Sequence, residues 1–368
     1  MPRMSSRTQV LVWLGVLAGT ALTVIAVGAL LMAPLARHVT RQALSSLEGV
    51  QGSFLSASID PLTLTYSLEN LRLVADDAHP ADPPLLTMEQ FQFHLHGRDL
   101  LRGKLTASAV VANAKLAMRL TKEAATTVPD PGAEVGSLPP VRLTRIELHD
   151  CELLLTDATI SPVATFWVHE VEGELRDLAS RSSLASAHAP AFKLHGTVQR
   201  SGKVTLSGTL DPLASAPAFE GEMSVTGLQL RELYALVVPR TGFHIPKGTL
   251  SATGAFQASD GRLRGRLQPV FSGLEIRSAD GNVLRTAEAG LANAAIAVLP
   301  DRFAPAHPAT FDLLWTNPGV LWDEIMKVGL ATLPSAVVSA LVGEKPAPPV
   351  SSPKGSTPRE AAKKRQTP

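Results

Sequence analysis

The chain has 368 residues, of which 45% are apolar, 18% charged and 5% aromatic, and its mean hydropathy of +0.13 excludes a disordered chain. Its single cysteine, Cys151, excludes an intrachain disulfide framework and a cysteine-based zinc site. The net charge of +1 divides into +4 over residues 1–47, −7 over the body and +4 over 344–368; an acidic body argues against nucleic acid, which needs Lys and Arg gathered on a folded surface.

Residues 1–8 form a short polar lead. Thr8 to Ala36 carries no charge, and Val10 to Met32 is almost wholly apolar. About 20 helical residues cross the ~30 Å hydrocarbon layer, so residues 9–36 are predicted to be a transmembrane helix. The alternative, a cleavable signal peptide, has a shorter apolar region and a small-x-small exit, whereas this run leaves through Ala33-Pro-Leu-Ala-Arg37. Two arginines flank each side, so charge alone does not orient the span.

Beyond the anchor the apolar period becomes two. Leu62, Leu64, Tyr66 and Leu68 alternate with polar residues, as do Phe91, Phe93 and Leu95, and then Ala112, Ala114, Leu116, Met118 and Leu120. These place a first β lobe over 37–120. Residues 121–140, with Pro129, Pro131, Pro139 and Pro140, read as a linker or loop. A second β lobe over 141–318 carries Val141/Leu143, Ile146/Leu148, Phe166/Val168, Phe192/Leu194/Val198, Val204/Leu206/Leu210 and Leu263/Leu267. Ser201-Gly202, Asp260-Gly261 and Asp280-Gly281 supply hairpin turn chemistry, so a long antiparallel meander is expected. Helical spacing interrupts it near 229–238, with Leu230, Leu233, Tyr234 and Val237 on one stripe. A second helical segment, 319–343, is kinked at Pro334 and is read as capping the sheet end; the Pro-, Ser- and Lys-rich tail 344–368 is expected to be disordered.

Catalytic signals are thin. His94 and His96, two apart on a strand, share a face, but no third ligand is fixed by spacing. His149-Asp150-Cys151 collects nucleophile-like types, yet strand neighbours point to opposite faces. Gly103-Lys104 and Gly202-Lys203 lack the rest of a phosphate loop. The expectation is a protein without catalysis, metal or cofactor.

The run Gly52 to Leu73, with its Asp60-Pro-Leu-Thr-Leu64 turn, followed by Pro84 to Phe93, resembles the opening of AsmA-like proteins, specifically the proteobacterial domain-of-unknown-function family 748. Arg145 to Asp157, Val198 to Leu210, and Leu228-Gln-Leu-Arg-Glu-Leu-Tyr234 leading to Ile245-Pro-Lys-Gly-Thr-Leu-Ser251 extend the resemblance over roughly residues 9–300. It implies one helix in the bacterial inner membrane, a periplasmic body, and a mainly β fold: a long curved antiparallel sheet with an apolar groove and few short helices. The implied function is binding or helping transfer of phospholipid acyl chains in support of the envelope, with the inner membrane, phospholipid and envelope proteins as partners. Leu62, Leu64, Tyr66, Leu68, Phe91, Phe93, Leu95, Leu116, Met118, Phe166 and Val168 are the candidate groove lining. The rival reading is a structural scaffold with a closed β core that binds an envelope protein; the same alternation would then face a second layer.

Overall fold

The computed structural model describes residues 34–45, 49–76, 83–121, 140–186, 188–315 and 318–344. The expected membrane helix and basic tail therefore lie outside the described residues except at their inner ends. Residues 34–45 form helix α1, followed by β1 (Val50–Ser53), β2 (Ser56–Asp60), β3 (Thr65–Ala75) and β4 (Leu86–Leu95). A single helical turn, α2 (Gly97–Leu100), precedes β5 (Thr106–Leu120), β6 (Arg142–Asp157), β7 (Ala164–Ala179), β8 (Ala191–Val198), β9 (Gly202–Leu210) and β10 (Phe219–Gln229). Helix α3 (Tyr234–Thr241) leads into β11 (Phe243–Ser259) and β12 (Arg262–Ser278), then come α4 (Val283–Ala297), β13 (Arg302–Phe303), β14 (Ala309–Leu314) and α5 (Pro318–Val342).

All fourteen strands belong to one open sheet, ordered β1-β3-β4-β5-β6-β7-β8-β9-β10-β11-β12-β13, with β2 also on β3 and β14 also on β12. Alternation makes these segments strands because each must bury one face while the other stays wet. The Asp260-Gly261 turn joins β11 to β12 with Ser259 opposite Arg262, and both turn residues have positive φ, 52° and 70°.

Several expectations need correction. The sheet is mixed, because β6 runs parallel to β5, with Leu116 beside Leu153 and Met118 beside Leu155. Parallel neighbours require a long crossover, and the proline-rich 121–140 segment joins these two strands while the sheet continues across it. Leu62 and Leu64 fall outside β3: the Asp60 carboxylate accepts from Leu62 N at 2.9 Å and from Thr63 Oγ1 at 2.8 Å, closing a turn before the strand begins. Asp280-Gly281 opens a helix instead of a hairpin, because Asn282 caps α4 by accepting from Leu284 N and Arg285 N. At Ser201-Gly202, Gly202 lies within β9, opposite Val198, and the loop comprises residues 199–201.

The strands also share an interruption. Asn70, Asn113, Asp150 and Glu170 have φ between 50° and 53° in β3, β5, β6 and β7; the β3–β4 and β4–β5 registers continue unshifted past them, and those of β6–β7 and β7–β8 slip. Gly227, Gly248 and Gly273 do the same in β10, β11 and β12, with φ of 72°, 130° and 59°. Each such position offsets the side-chain alternation by one, so the apolar face resumes after an odd step: Leu68 to Leu71, Val111 to Ala114, Leu148 to Cys151, Val168 to Val171, and Phe271 to Leu274. The face thus stays continuous across a transverse crease that increases the local twist.

Two buried clusters sit at opposite ends of the sheet. Near the first strands, Ala36 of α1 packs with Ala57, Leu68, Leu71 and Met88. Leu44 of α1 lies over Gly52, where a Cβ would stand 2.8 Å from its side chain. At the far end, Leu233 of the turn before α3 joins α3, α4 and α5 in covering the sheet, with Leu236, Val237, Ala289 and Ala336 against Leu228, Ile245, Phe271 and Leu274.

Candidate apolar site

Along β7–β12 and β14, beyond the second cluster toward the other ends of the same strands, the same face is apolar but uncovered. Register places Leu175 opposite Phe192, Phe192 opposite Gly208, Gly208 opposite Gly221, Gly221 opposite Phe256, Phe256 opposite Gly265 and Gly265 opposite Phe311. The rings lie over the glycines beside them: a Cβ on Gly208 or Gly221 would stand 2.7 or 2.9 Å from the ring of Phe192 or Phe256, and one on Gly265 would clash with Phe311. A glycine next to an aromatic residue lets the ring recline along the sheet instead of standing up from it. The result is a low apolar floor, extended by Leu194, Leu206, Met223 and Leu267, all half-buried and none of them in either buried cluster. Phe219 edges onto Phe256 at 5.9 Å and onto Trp315 at 5.6 Å.

The opposite face is laced with cross-strand ion pairs, including Lys115–Glu152, Arg145–Glu174, Lys247–Glu275 and Arg262–Asp312. One side of the sheet is therefore wet by charge and the other apolar. Exposed pairs of this type contribute little to stability, so their effect is to define which side faces water.

The residues singled out from alternation divide among these regions. Leu68 is buried in the first cluster, against which Tyr66 and Phe91 pack. The Tyr66 hydroxyl also hydrogen-bonds Thr40 Oγ1 of α1 at 2.8 Å. Phe93 pairs with Tyr66, and Leu95 with Ala107. Leu116 and Met118 are exposed, at 42% and 37%. Phe166 and Val168 pack against the second cluster, Phe166 with its ring 5.2 Å from Trp322. Leu62 is 72% exposed and, with Leu64, lies off the sheet. Of the floor, alternation marked Phe192 as one residue of a strand, but not Phe256, Phe311 or the glycines Gly208, Gly221 and Gly265 beneath the rings. A Phe beside a Gly on adjacent strands becomes visible only once register is known.

A second apolar space lies under the terminal helices. A cavity of about 490 Å³ is bounded by α3, α4, α5 and the near ends of β11 and β12, with Val237, Phe243, Ile245, Ile276, Leu333 and Val337 in its walls. One side of this end is locked by charge. Arg240 Nη2 donates to Asp157 Oδ2 at 2.8 Å and to Asp323 Oδ1 at 3.1 Å, and Trp322 Nε1 donates to Asp157 Oδ2 at 2.9 Å. Asp157 is fully buried, and the Arg240 side chain is 6% exposed. Burial pushes the Asp157 carboxyl up, but bonds from Thr159, Arg240 and Trp322 outweigh it and hold it below its ordinary value. Asp323 is likewise raised by burial and lowered further by Lys327 and Arg240. The network joins β6, α3 and α5. It is satisfied internally, which fits a structural latch better than a reactive centre.

The polar candidates do not assemble into a reactive group. His94 Nδ1 lies 3.0 Å from Thr65 Oγ1, and its ring is 5.8 Å from that of His96. Cys151 Sγ donates to the His149 backbone carbonyl at 3.6 Å, and burial raises the thiol above its ordinary value. Among the described residues no group of three or more His, Cys, Asp or Glu side chains is placed to hold a metal. Pro318–Val342 is the one helix among the described residues long and apolar enough to cross a membrane. No protein-family model matches the chain, and no curated protein matches it.

Proposed function

We propose that this chain is a membrane-tethered protein of the bacterial envelope that holds phospholipid acyl chains on the apolar face of its sheet, as the AsmA-like resemblance implies. The observation that carries this reading is the uncovered floor of Phe192, Phe256 and Phe311 reclining on glycines outside both buried clusters. A scaffold with a closed core would bury that floor beneath a second layer. In the proposed arrangement the sheet curves along its bulged crease into a groove, and residues 9–36 fix it to the inner membrane with the body in the periplasm. Binding is passive. Each methylene leaving water for the floor contributes about 0.8 kcal/mol, while head groups stay at the wet margin. No cofactor or reaction is needed.

The test uses the full chain in bacterial membranes with a phospholipid carrying a photoactivatable acyl chain. Adducts on peptides containing Phe192, Leu206, Met223 and Phe256 are expected. Adducts confined to the 9–36 segment, or none, overturn the reading and favour the scaffold.

A further inference from the structure

We infer that the cavity beneath α3, α4 and α5 is a separate binding site for the single acyl chain of a monoacyl lipid whose head group is neutral or zwitterionic. The inference rests on the lipid-binding reading and adds a site, a ligand class and a selecting residue. Small-molecule pockets span about 300–1,000 Å³ and combine apolar walls with few polar groups. At about 490 Å³ this cavity sits low in that range, which suits one acyl chain better than two. Its walls are apolar apart from Thr241 and Glu288. The Thr241 hydroxyl is already committed, donating to the Val237 carbonyl at 3.0 Å and accepting from Phe243 N at 3.1 Å.

Glu288 is different. It lines the cavity yet is exposed, so it stands where the cavity meets solvent, and it makes no hydrogen bond or ion pair with any described residue. A carboxylate at the mouth of an apolar hollow repels a second carboxylate entering beside it, which selects against a free fatty acid while tolerating a glycerol or an amine-bearing head.

The test is photo-crosslinking of the full chain in phosphatidylcholine vesicles with two diazirine probes, a monoacylglycerol and a fatty acid of equal chain length. Adducts are read on peptides covering 289–292 and 330–338. The monoacylglycerol is expected to label them about tenfold more than the fatty acid, and Glu288→Lys to reverse that preference. Ala292→Trp and Val337→Trp, accepted when circular dichroism is unchanged, fill the hollow and remove cavity adducts from both probes while leaving those at Phe192 and Phe256. If neither variant folds, the Glu288→Lys reversal remains the deciding readout. Floor adducts without cavity adducts overturn this inference and leave the lipid reading standing. Absence of adducts at both places overturns both. Equal labelling by the two probes, unchanged in Glu288→Lys, overturns the head-group selection.

Discussion

The two ends of the sheet are covered by different means. At the first strands one short helix, α1, lies over β1–β4 and is held by apolar contacts and one hydroxyl pair, Thr40 with Tyr66. At the last strands three helices share a larger cluster and a fully buried carboxylate, with Arg240 bridging Asp157 and Asp323. The crease differs too, built on Asn, Asp and Glu in the first half and on glycine in the second. Apolar packing tolerates small slips, whereas a buried charge network admits one arrangement. The terminal helices are thereby held in fixed positions around the cavity, and the floor farther along β7–β12 is left open.

The sharpest way to break this contrast is Arg240→Met. Removing the cation leaves the fully buried Asp157 without a charge partner, while Asp323 keeps Lys327 at 3.1 Å, and a loss of about 3 kcal/mol is expected in chemical unfolding. Arg262→Ala, on the exposed face, should change stability by less than about 0.5 kcal/mol. Acid probes the same latch. The folded values of Asp157 and Asp323 lie below their ordinary 3.8, so the unfolded chain takes up protons first as pH falls. Their contribution is complete above the ordinary value and is lost as pH falls through the lowered folded values. Unfolding midpoints measured down a pH series should decline there in the native chain, with a shallower slope in Arg240→Met.

The crease offers a smaller effect of opposite sign in its two halves. Nothing lies within 4 Å of a Cβ on Gly273, so Gly273→Ala meets only the strain of φ 59° and should cost about 1 kcal/mol. Asn113→Gly, at φ 53°, removes that strain; its thermal midpoint should stay within a degree or two or rise. Tyr66→Phe, which removes the hydroxyl pair to Thr40, should cost about 0.5–1 kcal/mol in thermal unfolding.

Much of this was legible residue by residue. Period-two alternation marked most strands, and Asp260-Gly261 marked a hairpin, because each signal acts between neighbours in the chain. The odd steps from Leu68 to Leu71 and from Val168 to Val171 were also in plain view, as slips in that alternation. Helix α4 left a weaker trace: Asn282 as its cap and a small-residue run that reads equally as loop. The β5–β6 parallel pairing left none, since alternation is the same in either direction.

The sequence by itself determined that residues 50–314 are mostly strands with one apolar face, because side-chain period is a local property of the backbone. Only the tertiary structure decided which part of that face stays open, that Phe256 reclines on Gly221, and that Asp157 meets Arg240 and Asp323 across 83 and more residues. Those outcomes depend on register and on where the terminal helices land, and both are set by packing between segments far apart in the chain.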